Sequence, residues 1–343
     1  MKRPFILFLT SAFFISACSK KSDTATQPIG PIVNTPTVTT FAGSGTAGAS
    51  DGTKAQAEFN FPTGIGISID GFIFVADKQN NLVRVISPQG VVNSLNHTTS
   101  PGFSNGKDSL SFNFPAGVCA DASGNVFVAD QSNGAVREIN TSGVATTFAT
   151  GLSSPVATAA DPSGNIYVAS SGLSVIFKIT SKGVKTILAG TGVRGSNNGA
   201  GTAATFNQPQ ALAVDAGGNV YVADKGNNLI RKILPDGTVS TIAGSGTAGA
   251  ANGTGTSASF DGPAGIAVDA SGNLFVGDSN NNLIRKITPA GVVSTYAGSG
   301  AQGSGNGALT AATFNSPQGV AVDQYGRVFV ADTGNSLIRM INP

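Results

Sequence analysis

The sequence predicts an all-β protein, a six-bladed β-propeller of four-stranded antiparallel blades, and three observations carry that expectation. Pro62, Pro115, Pro155, Pro209, Pro263 and Pro317 align the chain on itself at spacings of 53, 40, 54, 54 and 54 residues, which makes six repeated units. Each unit reads like Gly265 to Gly298, where four short apolar stretches are separated by turn residues, the strand count of a propeller blade. The sixth unit stops at Asn342-Pro343 before a fourth strand, while Thr37 to Gly43 precedes the first unit and matches Val293 to Gly298. The N-terminal strand is therefore expected to complete the last blade and close the ring, leaving no unpaired edge.

In chain order, residues 1–17 read as a secretory signal. Lys2 and Arg3 supply the positive start, Phe5 to Ile15 the short apolar stretch, and Ser16-Ala17 the small-residue exit. Ile15-Ser16-Ala17-Cys18 resembles the bacterial lipobox, which implies that Cys18 becomes a lipidated first residue and holds the protein on a membrane. Residues 18–36, with few large apolar side chains, read as a tether, and 37–343 as the propeller. No acidic retention signal follows Cys18, where Ser19 and Lys20 stand, so the expected address is the cell envelope at the outer membrane. Past the signal no apolar run approaches the roughly 20 residues that span a bilayer. Without Lys2 and Arg3 the basic and acidic residues balance, giving no electrostatic reason to expect a nucleic-acid partner.

Within the units, each recurrent polar residue has a structural reading. Asp77, Asp130, Asp224, Asp278 and Asp332 stand seven residues before Arg84, Arg137, Arg231, Arg285 and Arg339, a separation that brings the two together across a hairpin as a charge-assisted pair. Asp121, Asp161, Asp215, Asp269 and Asp323 each precede a glycine by three, a spacing for a turn in which the carboxylate accepts backbone N–H groups; Ser68 stands there in the first unit. Phe59, Phe112, Phe206, Phe260 and Phe314, three before the aligning prolines, are expected to pin the connecting loops to the core. Cys119, without a partner once Cys18 is acylated, reads as a small buried apolar residue. Most units carry fourteen extra residues before the proline, rich in glycine, such as Gly244 to Gly249. A phosphate loop would need a Lys after its last Gly and a helix behind it, so these read as surface loops on one face of the ring.

The pattern GNVYVAD followed by GNNLIRKI, from Gly218 to Ile233, and GRVFVAD followed by GNSLIRMI, from Gly326 to Ile341, resembles the NHL repeat. The third unit departs from it, with Ser170, Leu173 and Phe177 where other units have Asp, Asn and Arg. The resemblance implies a closed propeller, usually of six blades, and some relatives with this propeller are metal-dependent lyases or lactonases.

For such an enzyme the chain is poorly equipped. It has one histidine, His97, in an atypical loop, and two glutamates, Glu58 and Glu138, whereas a catalytic zinc takes three protein ligands rich in His. An oxygen-only calcium site built from Asp and carbonyls stays open, and no cofactor is implied. No G-x-S-x-G elbow marks a nucleophile. A glycan ligand is the alternative for an envelope protein, against which stand the absence of Trp and the placing of Tyr167 and Tyr221 inside second strands. A protein or peptide ligand on the looped face is the first expectation, with a structural envelope scaffold close behind. Loops on a rigid scaffold carry binding, and residues that vary between otherwise repeating units are free to serve it. The residue after each proline and the residue after each recurrent Asp vary, and their polar, asymmetric members Thr63, Lys78, Gln210, Lys225 and Gln318 are the candidate contacts.

Overall fold

In the computed structural model, which describes residues 35–343, the six units are six blades. The first is Pro62–Ile67, Ile73–Asp77, Leu82–Ile86 and Val91–Ser94, running from the ring's centre outward; the others repeat it. The sixth takes Pro317–Val322, Val328–Asp332 and Leu337–Asn342 from the C-terminus and Thr37–Ala42 from the N-terminus. Thr37 lies opposite Asn342 and Thr40 opposite Arg339, so the two ends of the described chain share one sheet. Innermost strands touch their neighbours all round, the sixth to the first included. The signal sequence, Cys18 and residues 19–34 lie outside the described residues.

The apolar interior is divided into six clusters, each lying between two adjacent blades. That division explains why every second strand is buried along its whole length instead of alternating: a blade is covered on both faces, and its middle strands meet neighbours on each. Tight turns hold the blade ends on one side of the ring. Asp121 Oδ1 accepts from the N–H groups of Ser123 and Asn125 at 2.9 and 2.8 Å, and the same turn recurs at Asp161, Asp215, Asp269 and Asp323. Tyr167 and Tyr221, in the core as expected, donate their hydroxyls to Asp161 and Asp215.

On the other side of the ring, five blades carry a buried ion pair. In the fourth blade Arg231 Nη1 meets Asp224 Oδ2 at 2.9 Å, with both side chains 0% exposed. The equivalent pairs in blades one, two, five and six span 2.7 to 3.1 Å. Burial pushes the Asp77 carboxyl up to about 6, against the pull of donors from Asn60, Asn80 and Arg84. Each guanidinium also lies 5.1 to 5.7 Å from the ring of the recurrent phenylalanine, all five of which are fully buried.

The glycine-rich insertions do more than form surface loops. Each leaves the looped side, runs down the outside of its blade, and pairs with the outer strand. Gly253 and Thr254 pair with Val293 and Val292, Gly52 and Thr53 with Val92 and Val91, and Gly307 and Ala308 with Val38 and Thr37. Single bridges, Gly106 to Ala145 and Gly199 to Val239, do the same in blades two and four. Those glycines have φ between 98° and 158°, a region closed to residues with a Cβ. The residue before each holds the arginine: Arg231 Nη2 donates to Asn198 Oδ1 at 2.8 Å and to the Asn197 carbonyl at 2.9 Å, while Asn227 binds the Gly195 carbonyl and Asp224 together. The repeated Asp, Asn and Arg are thus the clamp that fastens the insertion.

This explains the irregular third unit. Blade three lacks the insertion, so it has nothing for the clamp to fasten, and Ser170, Leu173 and Phe177 replace it. Where the other outer strands bury Val38, Val92, Ala145, Val239 or Val293 beneath the insertion, blade three has the exposed Lys185. An open strand edge ending in a lysine resists pairing with another chain.

Candidate functional site

The looped side of the ring surrounds a narrow central mouth. Its wall is made by the first residues of all six inner strands, Thr63, Ala116, Val156, Gln210, Ala264 and Gln318 among them, around a cavity of about 50 Å³. The inner strands sit so close that a Cβ on Gly64 would come within 2.6 Å of the Ala116 carbonyl. Paired glycines Gly265 and Gly277 likewise make room for the Gln318 backbone of the next blade. The channel therefore admits groups the size of water, and a larger ligand meets the mouth from outside.

Of the five sequence candidates, Thr63, Gln210 and Gln318 line this mouth, and Lys78 and Lys225 lie on turns of the same side of the ring. Gln210 and Gln318 are half-buried in its wall. Thr63 is only 6% exposed, and its hydroxyl donates to the Ala116 carbonyl at 2.9 Å, so it joins blade one to blade two instead of waiting for a ligand. Lys78 and Lys225 begin the short 3-10 turns that follow the second strands of blades one and four, opposite each other in a ring of six. Two of the equivalent residues turn to the next blade: Thr333 Oγ1 donates to the Pro62 carbonyl at 2.7 Å, and Gln131 Nε2 to Ser154 Oγ at 2.9 Å. Among the described residues neither lysine makes an ion pair or a side-chain hydrogen bond. Burial lowers the pKa of Lys78, and the charge of Lys225 lowers it further; burial lowers that of Lys225. Both shifts reflect ammonium groups held partly desolvated and uncompensated, a cost that an anion brought to them would relieve.

Sequence reasoning missed two residues here. The residue before each aligning proline has a left-handed backbone, with φ of 50° to 61°, and blades one and two place Phe61 and Phe114 there. Their rings are 37% and 41% exposed. The sequence shows two adjacent Phe-Pro steps, but nothing in strand periodicity gives the sign of φ.

Other candidates fall away from the mouth. The recurrent aspartates are consumed by the arginine clamp or the turns, His97 is exposed on its loop, and among the described residues no three His, Cys, Asp or Glu side chains gather as a metal site. Cys119 is half-buried rather than buried, because the outer end of its inner strand is less covered than the centre. The apolar surroundings of its thiol still push it up to about 12, far from a reactive thiolate. A separate cavity of about 440 Å³ opens on the short-turn side between blades six and one, lined by Ile69, Asp70, Pro88, Tyr325 and Arg327.

Six blades of four antiparallel strands, three of them extended by a short fifth strand from the insertion, closed through a strand from the opposite end of the chain, define a closed β-propeller. The propeller contains NHL repeats: residues 112–138, 206–233, 260–287 and 314–339 match the NHL repeat model. It is 28% identical over 329 residues to protein suppressor of quenching 1, chloroplastic, of Arabidopsis thaliana. The match takes in 85% of this chain and 31% of that protein, so the chain spans about a third of that relative's length. Among solved structures it is similar to an auxiliary nutrient binding protein from Bacteroides thetaiotaomicron, with a TM-score of 0.72 and 19% identity over 90% of this chain and 76% of that one. It is also similar to virginiamycin B lyase from Staphylococcus aureus, with a TM-score of 0.55 and 16% identity over 83% and 95% of the two chains. At these identities the structural likenesses show the fold.

Proposed function

We propose that this chain is a lipid-anchored binding protein of a bacterial cell envelope, held through Cys18 and using the looped mouth to bind a protein or peptide. One observation carries the binding role. The polar residues that repeat in the blades are committed to the clamp and the turns, while of the varying polar residues Gln210 and Gln318 line the mouth and Lys78 and Lys225 open turns on the same side of the ring. The likeness to a nutrient binding protein supports a ligand-holding role, and the narrowness of the channel speaks against a buried reaction chamber. Localisation rests on the sequence Ile15-Ser16-Ala17-Cys18 and the signal before it.

Two measurements test this reading. Fatty-acid metabolic labelling is expected to mark the wild-type chain and to miss Cys18→Ala, which should leave the membrane fraction or stay unprocessed; equal labelling of both overturns the anchor. For the mouth, a synthetic peptide array is probed with the wild type and with a variant carrying Lys78→Gln, Gln210→Ala, Lys225→Gln and Gln318→Ala. Peptides held by the wild type should be lost by the variant at an unchanged melting temperature, because these half-exposed side chains lie outside the core. Peptides bound equally by both, with hydrogen-exchange protection around Ile69 and Tyr325, would move the site to the opposite side.

A further inference from the structure

The backbone before each inner strand asks for glycine. All six positions are left-handed and precede a proline, whose ring disfavours helical backbone in its predecessor, and Gly262 shows the relaxed solution in blade five. A bulky residue there is strained. Phe61 and Phe114 accept that strain in adjacent blades, yet their rings are not returned to the core. Large apolar side chains left more than a third exposed at strained positions on the looped side point to a role outside the fold.

Their setting is cationic. The turn that Lys78 opens is tied to both: Gln79 N–H donates to the carbonyl of Asn60, the neighbour of Phe61, at 3.1 Å, and Asn81 Oδ1 accepts the Phe114 N–H at 2.8 Å. Lys225 stands across the ring with its charge felt at Lys78. Two part-exposed phenylalanines therefore sit on segments joined to the turn of a half-buried ammonium that has no anionic partner among the described residues, with a second ammonium close enough to act on its charge.

We infer that the mouth takes a peptide carboxylate flanked by an apolar or aromatic side chain. The carboxylate accepts from Lys78 and Lys225, and the apolar group lies on Phe61 and Phe114. This rests on the peptide-binding reading above and names the chemistry that the mouth selects.

The probes are the tripeptide Gly-Gly-Phe with a free C-terminal carboxylate, its C-terminal amide, and Gly-Gly-Gly with a free carboxylate, titrated calorimetrically into the full chain at low salt. Gly-Gly-Phe acid should bind at least about tenfold more tightly than either of the others. Lys78→Gln with Lys225→Gln should lose about tenfold or more for the acid and nothing for the amide. Phe114→Gly should weaken the acid while leaving the melting temperature unchanged or raised, since glycine relieves the left-handed strain; a merely structural ring would lower it. Equal affinity for acid and amide, or a lysine variant that binds like the wild type, overturns the inference. So does cellopentaose binding that Phe114→Gly abolishes and the lysine variant spares, which would make the rings a sugar platform. If array peptides still need the mouth while Gly-Gly-Phe does not bind, this inference fails and the binding reading stands; if no peptide needs the mouth, both fail.

Discussion

Arg231→Met is expected to lower the free energy of unfolding by about 3–5 kcal/mol, the range for breaking a buried ion pair from one side. Methionine keeps much of the apolar contact with Phe206, whose ring lies 5.3 Å from the guanidinium, so the loss reports the charge and its hydrogen bonds more than a cavity. Asp224 would remain 0% exposed with only the Asn207 N–H and Asn227 Nδ2 as donors. The carbonyls of Thr205 and Asn197 and the Asn198 side chain would each lose a donor, and the insertion its fastening. Urea unfolding checks it, and a loss below about 1 kcal/mol would show the clamp to be dispensable. Copying blade three by Asp224→Ser with Arg231→Phe should recover the charge penalty but not the fastening, leaving blade four less stable than wild type. A double-mutant cycle separates the two contributions.

Removing residues 37–43 is expected to destabilise the ring by several kcal/mol, roughly 4 or more. Val38 and Ala42 are buried, and a Val side chain alone contributes about 1.5–3 kcal/mol. Phe41 packs edge-on against Phe329 at 5.0 Å between ring centres, worth about 1 kcal/mol beyond its area. The deletion also leaves Leu337–Asn342 with an open edge and removes the partner of the Gly307–Ala308 segment. Removing residues 19–36 should leave the melting curve where it was. Thermal unfolding that cannot tell the two truncations apart would refute the closure.

Much of this architecture was legible because repetition turns one chain into six readings of the same unit. The seven-residue step from Asp224 to Arg231 spans a hairpin, and strand pairing alone brings those residues together. The match of Thr37–Gly43 to Val293–Gly298 located the closing strand for the same reason. The insertions resisted reading because they lack periodicity. Their role depends on a path across the blade and down its edge, and an Asn-Gly step such as Asn252-Gly253 gives no sign that one residue holds an arginine and the other begins a fifth strand. Nor could the sequence show that losing the insertion and losing the clamp in blade three were one event. At the mouth, the varying positions were visible, but not which way each side chain turns. Thr63 reaches the next blade, Lys78 does not, and Phe114 stands out because of a backbone angle that a one-dimensional pattern does not encode.

The closing strand also gives the ring a handle and a direction. Leu337–Asn342 starts on the looped side and ends on the short-turn side, and Thr37 pairs with Asn342, so the chain joins the propeller from the short-turn side. The mouth opens on the side of the ring away from Thr37, while Ile69 and Tyr325, 75% and 70% exposed, stand on the short-turn side where Thr37 enters. A segment attached after Pro343 would leave from that same side, because Pro343 follows Asn342. Turning the mouth around would require opening the ring at a looped-side connection, and the short link from Thr150 to Ser154 before blade three, free of insertion and clamp, is where a permuted chain could begin with least disturbance.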